Sequence, residues 1–301
     1  MTFSIVARDE QTGQLGVAVQ THWFAVGANC PWVEAGVGAV ATQSMVEVSY
    51  GPKNLDLLRA GKSAQEALEG LIAKDKNQGL RQVAVVDAQG RIAVHTGDRC
   101  IQAAGHRAGK GFSVQANMMK NDTVWPAMEK AYLSSKGDLA SRMLAALYAA
   151  QAAGGDIRGK QSAAMLVAKG EKSDEPWRHM LVNLRVDDHP EPLRELERLL
   201  NINKAFNLMN EGDALLAKDL NDAAREKYSL AAVIAPDIEE LPFWQAVTLA
   251  DTGRLEEALP IFKNVFKKNK DWAGLVRRLP PSGLLKDDAE MMKRILAVLD
   301  E

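Results

Sequence analysis

The residue best placed by type and position to do chemistry is Thr2, in the opening stretch Met1-Thr2-Phe3-Ser4-Ile5-Val6-Ala7. A small second residue such as threonine favours removal of the initiator methionine. The new first residue would carry a hydroxyl and a free α-amine, which is a nucleophile and a base together. An α-amine titrates at about pH 8 and can accept the hydroxyl proton at neutral pH. An ordinary start codon followed by an ordinary strand accounts for the same residues. His22 could bind a substrate or relay protons, as histidines do, or simply pack beside Trp23 and Phe24. Arg158 and Gln161 could contact a substrate, the arginine gripping a carboxylate through two N–H groups. A solvated turn explains them equally. His95 and His106 lack the partners that a metal site needs, and the run Asp187-Asp188-His189 reads either as a metal or acid–base cluster or as a strand end at a domain boundary, so no metal is expected. The glycines at 36 and 38 are not followed by the Lys-Ser/Thr of a phosphate loop, and no cofactor is expected.

The elements that would position these groups begin with a strand. Phe3, Ile5 and Ala7 alternate with Ser4 and Val6, and a turn through Gly13 leads into the apolar run Gly16-Val17-Ala18-Val19. A strand that is apolar throughout is covered on both faces. Thr21 and His22 leave its end. Residues 33–43 form a further glycine-punctuated apolar run. Gly51-Pro52 breaks the chain before a helix at 53–60. A second helix at 63–73 opens with Ser63 and Glu66, a capping box. Residues 80–87 and 91–96 form a hairpin, and a strand at 111–116 ends at Asn117. Helices follow at 124–134 and 139–153, stopped by Gly154-Gly155, then strands at 162–168 and 180–186. Blocks of strands alternating with pairs of helices predict two sheets packed between helical layers, not βαβ units.

The 301 residues allow two domains, and the composition, 47% hydrophobic and 25% charged, is that of a globular protein. A net charge of -2 argues against nucleic acid or an anionic membrane as partner. No apolar run reaches the roughly 18 residues of a membrane span, and the start lacks a secretory leader. Cys30 and Cys100 form no zinc pattern and fit a reducing cytosol, so a cytoplasmic location is expected.

After Pro190-Glu191-Pro192 strand signals cease. Ala224 recurs as Ala258 and Tyr228 as Phe262, a spacing of 34 residues. Gly212, Ala224, Tyr228, Ala231 and Pro236 fit the tetratricopeptide pattern, in which small alanines let two helices touch and an aromatic fills the gap. The second copy departs at Ala246, Val265 and Lys270. A leading helix at 193–200 and a tail at 285–300 would cap the repeats. The expected organisation is a domain at 1–190 and an all-α tetratricopeptide-like domain at 191–301, an α+β chain overall.

Several stretches together resemble one family: Thr2 to Asp9, Gly16-Val17-Ala18-Val19, Ala25-Val26-Gly27, Ala35 to Gln43, Ser49-Tyr50-Gly51-Pro52 and Leu80-Arg81-Gln82-Val83. His95-Thr96-Gly97, Gly105-His106, Gln115-Ala116-Asn117-Met118, Gly154-Gly155-Asp156, Gly159 to Ala163 and Leu184 to Pro190 continue the series. The chain is similar to the bacterial domain-of-unknown-function family 1028, grouped with the N-terminal nucleophile hydrolases. The resemblance implies a four-layer αββα sandwich. It also implies roles by element order: Thr2 as nucleophile and base, the backbone at Gln43-Ser44 as oxyanion donor, and Asn117 as a further donor. Asp156 and Ser162 would orient the threonine amine, although the spacing here is a few residues longer than in proteasome-like sites. Thr21 and His22 would face the same edge. The acidic residue and lysine usual in that superfamily have no clean match.

Two functions are therefore expected as alternatives. One is an amidohydrolase acting on a small amide-type substrate through Thr2. The other is a non-catalytic small-ligand binder or scaffold, its helical repeats holding a partner protein. Either is compatible with self-association.

Overall fold

In the computed structural model, which describes residues 2–299, the glycine-punctuated runs of the first half become antiparallel strands. They are β1 (Thr2–Arg8), β2 (Leu15–Thr21), β3 (Pro31–Glu34), β4 (Gly38–Ser44), β5 (Arg81–Asp87), β6 (Ile92–Thr96), β7 (Gly105–Gly109), β8 (Phe112–Asn117), β9 (Ser162–Ala168) and β10 (Met180–Val186). One sheet has the order β10-β9-β2-β1-β8-β7 and the other β3-β4-β5-β6. Helices α1 (Tyr50–Arg59) and α2 (Ala64–Ile72) precede β5, and α3 (Val124–Ser134) and α4 (Leu139–Ala152) follow β8.

The inner strands β1, β2, β4, β5, β8 and β9 are buried on both faces. Val6, Val17 and Val19 of the larger sheet meet Ala39, Ala41, Ala84 and Val86 of the smaller one. The opposite face of the smaller sheet, Val40, Val83 and Val85, packs on Tyr50, Leu55, Leu58 and Leu68. On the outer side of the larger sheet the Phe112 ring lies 4.8 Å from that of Tyr132 in α3. The methyl of Met143 in α4 reaches so near Gly16 that a Cβ there would sit 2.6 Å from it. Helices, sheet, sheet and helices are thus stacked in four layers, as covered strands require.

The capping box at α2 forms as its residue types predict, with both Ser63–Glu66 bonds present. Helix α1 starts three residues earlier than the break at Gly51-Pro52 suggests. Proline is tolerated in a first turn, where its missing N–H has no partner to lose. Strand β7, Gly-His-Arg-Ala-Gly, carries no apolar period and is an exposed edge held by β8.

The chain divides into two compact units, Met1–Leu199 and Leu200–Glu301. The second begins within α5 (Pro192–Leu216), a longer helix than the 193–200 its period suggests, and holds α6 (Asn221–Ile234), α7 (Glu240–Asp251), α8 (Leu255–Lys268), α9 (Asp271–Val276) and α10 (Ala289–Ala297). Its core contains Ala224, Tyr228, Ala231, Ala258 and Phe262. Gly212 lets α5 approach α6: a Cβ there would stand 2.7 Å from the Tyr228 ring. The Tyr228 hydroxyl donates to Asp213 at 2.7 Å, and the Phe243 and Phe262 rings meet edge-on at 6.3 Å. No helix among the described residues is long and apolar enough to cross a membrane.

Candidate functional site

Thr2 is the first residue of β1, a central strand of the larger sheet, flanked by Thr21 on β2 and Asn117 on β8. Strand alternation turns Thr2, Ser4 and Val6 towards the second sheet and Phe3, Ile5 and Ala7 towards the helices. The Thr2 side chain is only 6% exposed, and its Oγ1 lies 3.1 Å from the Thr21 Oγ1.

Beneath it the two sheets share a buried network of amides. Gln43 on β4 donates through Nε2 to the Thr2 carbonyl at 3.2 Å and to Gln82 Oε1 at 2.7 Å. Asn117 donates to the same two oxygens, at 3.4 Å to Thr2 and 2.8 Å to Gln82. The Ser4 hydroxyl donates to Gln43 Oε1 and accepts from Gln115, both at 2.6 Å. Gln82 Nε2 reaches the Ala116 carbonyl and the Thr96 hydroxyl, each at 2.9 Å. Thr96 in turn bonds His106 Nδ1 at 2.9 Å, and burial holds that imidazole below its ordinary pKa. A buried amide left unbonded costs about 2–7 kcal/mol, so these side chains hold one another and the main chain at Thr2 in register. Asn117 Oδ1 alone in this group is buried without a partner.

Thr2 opens onto a cavity of about 340 Å³. Thr21, Thr42, Gln43, Ser44 and Asn29 supply its polar wall; Trp23, Val26, Cys30, Met45 and Val46 supply the apolar part; and Arg158 is its charged residue. Three non-glycine backbones are left-handed here: Ser44 of the lining at φ 72°, Ala25 in the 22–26 turn at φ 53°, and Met118, the residue after Asn117, at φ 55°. Each costs on the order of 1–3 kcal/mol, and strain of this kind collects at functional sites. The ladder also orients Ser44. Thr42 N–H bonds Cys30 and Met45 N–H bonds Leu80 on β5's side. Alternation therefore turns the Ser44 N–H away from β5, to the side where Asn29 and Cys30 line the cavity.

Asp156 and Ser162 bond the chain around residues 22–26. Asp156 Oδ2 accepts the His22 N–H at 3.0 Å and Arg158 Nη2 at 2.8 Å, while Oδ1 accepts the Arg158 N–H at 2.9 Å. The Ser162 hydroxyl donates to the Trp23 carbonyl and accepts the Val26 N–H at 3.2 Å. Both fix the turn at 22–26, which forms one lip of the cavity. The His22 ring rests against Gly159. Gln161 contributes through its backbone, its N–H to Thr21 at 3.1 Å and its carbonyl to His189 at 2.8 Å.

Of the residues expected from sequence, Thr2, Thr21, Gln43, Ser44 and Arg158 therefore meet around one cavity. Asn117 lies behind Thr2, and Asp156, Ser162, His22 and Gln161 support the wall. Trp23, Met45, Val46 and Cys30 were not anticipated as lining. Apolar residues just past a strand end, as at 45–46, were the signal available. Among the described residues no group of His, Cys, Asp and Glu is arranged to hold a metal. The arrangement can present a hydroxyl to a small carbonyl compound, with an N–H beside the Thr2–Ser44 corner.

Comparison with known proteins finds similarity over the first two thirds of the chain. A family model described as a family of unknown function, DUF1028, matches residues 2–196. The crystal structure of a Silicibacter pomeroyi protein carrying the same family model is 32% identical; the match covers 66% of this chain and 84% of that one, with a TM-score of 0.60. No curated protein matches the chain.

Proposed function

Because the chain belongs to the DUF1028 family of unknown function, membership brings no activity with it, and we propose one from the chemistry of the cavity: hydrolysis of a small amide-type substrate by Thr2 after loss of Met1. Met1 lies outside the described residues, and its removal is a condition of the proposal. The observation that carries it is a threonine hydroxyl at the first position of a central strand, facing a cavity, with its main chain held by Gln43 and Asn117.

In the proposed reaction Thr2 Oγ1 attacks the amide carbonyl as the freed α-amine takes the hydroxyl proton. The tetrahedral oxyanion rests by the Ser44 N–H. The carbon–nitrogen bond breaks, the leaving amine takes the proton from the ammonium, and Thr2 is left as an ester. Water, deprotonated by the same amine, hydrolyses the ester and restores the hydroxyl. The test uses 4-nitrophenyl acetate as an acylating probe and follows nitrophenolate release. Thr2→Ser should retain the reaction and Thr2→Ala should lose it on the order of 100-fold or more. Equal rates in the wild type and Thr2→Ala would contradict the mechanism.

A second reading has one observation in its favour: Asp156 and Ser162 engage the 22–26 turn. On that reading the cavity binds a small ligand without turning it over, and the helical unit, taken as tetratricopeptide-like, holds a partner protein. Retention of Met1 would support it.

A further inference from the structure

The cavity mouth is built from two segments that have just left their strands. Trp23 follows β2, and Met45 and Val46 follow β4. All three line the cavity, yet Trp23 is 64%, Met45 51% and Val46 43% exposed. Phe24 and Val48, their chain neighbours, are exposed as well. Large apolar side chains grouped in water around a polar pocket mark a binding surface.

Neither segment is slack. Ser162 bonds the Trp23 carbonyl and the Val26 N–H, and Asp156 bonds the His22 N–H. On the other side Arg81 Nη1 donates to the Met45 carbonyl at 2.6 Å, the Met45 N–H bonds Leu80, and Asp75 holds Arg81 through a mostly buried ion pair at 2.8 Å. The apolar groups are thus held open by buried polar anchors. The charged lining residue among the described residues, Arg158, is cationic, with its Nη2 and Nε on Asp156. The buried Asp156 carboxylate already balances that guanidinium, so a charged ligand of either sign meets no counter-charge in the wall.

We infer that the cavity takes an uncharged amide bearing one aromatic ring or a branched aliphatic group, the apolar part seated between Trp23 and the Met45–Val46 segment and the carbonyl towards Thr2. Which end of the amide lies at Thr2 rests on the reaction proposed above; the selectivity does not. A cavity of about 340 Å³ is at the small end for ligand sites, the size for a single-ring compound.

The test reads binding alone, by ligand-observed magnetic resonance on the full chain, with benzamide, acetamide and benzamidine. Benzamide should bind about tenfold or more tightly than acetamide, from burial of the ring, and more tightly than the cationic benzamidine. Trp23→Ala and Val46→Ser, both at exposed positions, should each weaken benzamide about fivefold or more with an unchanged circular dichroism spectrum. Equal affinity for benzamide and acetamide, or benzamide binding unmoved in both variants, would overturn the inference. Either result leaves the reactivity of Thr2 to its own test, and an unreactive Thr2 would leave this selectivity standing.

Discussion

Beside the Thr2 hydroxyl, the cavity wall carries the Cys30 thiol as a second kind of nucleophile. Their surroundings separate them. Burial pushes the Cys30 thiol up to about 12, so it stays protonated at neutral pH, and the thiolate is the reactive form. Iodoacetamide at pH 8 should therefore leave Cys30 unmodified in the native protein while alkylating it after denaturation. Peptide mass mapping reads both states, and rapid native modification would make Cys30 a competitor for the proposed role. The residues around Thr2 were only partly legible in the sequence. Thr2, Thr21 and Gln43 stand at strand ends and could be placed by element order. The glutamine network could not, because Ser4 and Gln43 are 39 residues apart and Ser4 and Gln115 are 111 apart. A glutamine inside an apolar strand signals a buried partner without saying which strand supplies it.

Among the elements, those governed by local rules were the most legible. At α2 the Ser63 side chain accepts the Glu66 N–H and the Glu66 carboxylate takes the Ser63 N–H. Ser63→Ala should cost about 1 kcal/mol, read as a lowered denaturation midpoint with an unchanged slope, and an unmoved midpoint would contradict that account of α2. Elements fixed by tertiary contact were less legible. Strand β7 has no pattern of its own and exists by pairing with β8. The first turn of α1 depends on Gly51, where a Cβ would stand 2.3 Å from the Trp32 ring of β3. From sequence, His22 stands beside Thr21 at a strand end as a candidate substrate contact, and nothing marks the turn at 22–26 that follows. Asp156 and Ser162, more than 130 residues away, make it a rigid cavity lip.

At the scale of the molecule, the alternation of strand blocks with helix pairs was enough to predict layers, because sheets buried on both faces need near-continuous apolar strands. It could not say which strands neighbour one another: β9 and β10 complete the sheet beside β2 although they come last. The helical half was legible as helices from its small and aromatic residues, but the 25-residue length of α5 was not. The central claim, an N-terminal threonine nucleophile in the sheet cavity, concerns the whole mature chain. Its most direct test is intact mass spectrometry of the native protein before and after 4-nitrophenyl acetate, with the adduct then located by fragmentation. The account predicts a mass lacking Met1 and a single acetyl group on the Thr2 hydroxyl. A retained Met1 with no adduct at Thr2 would contradict it.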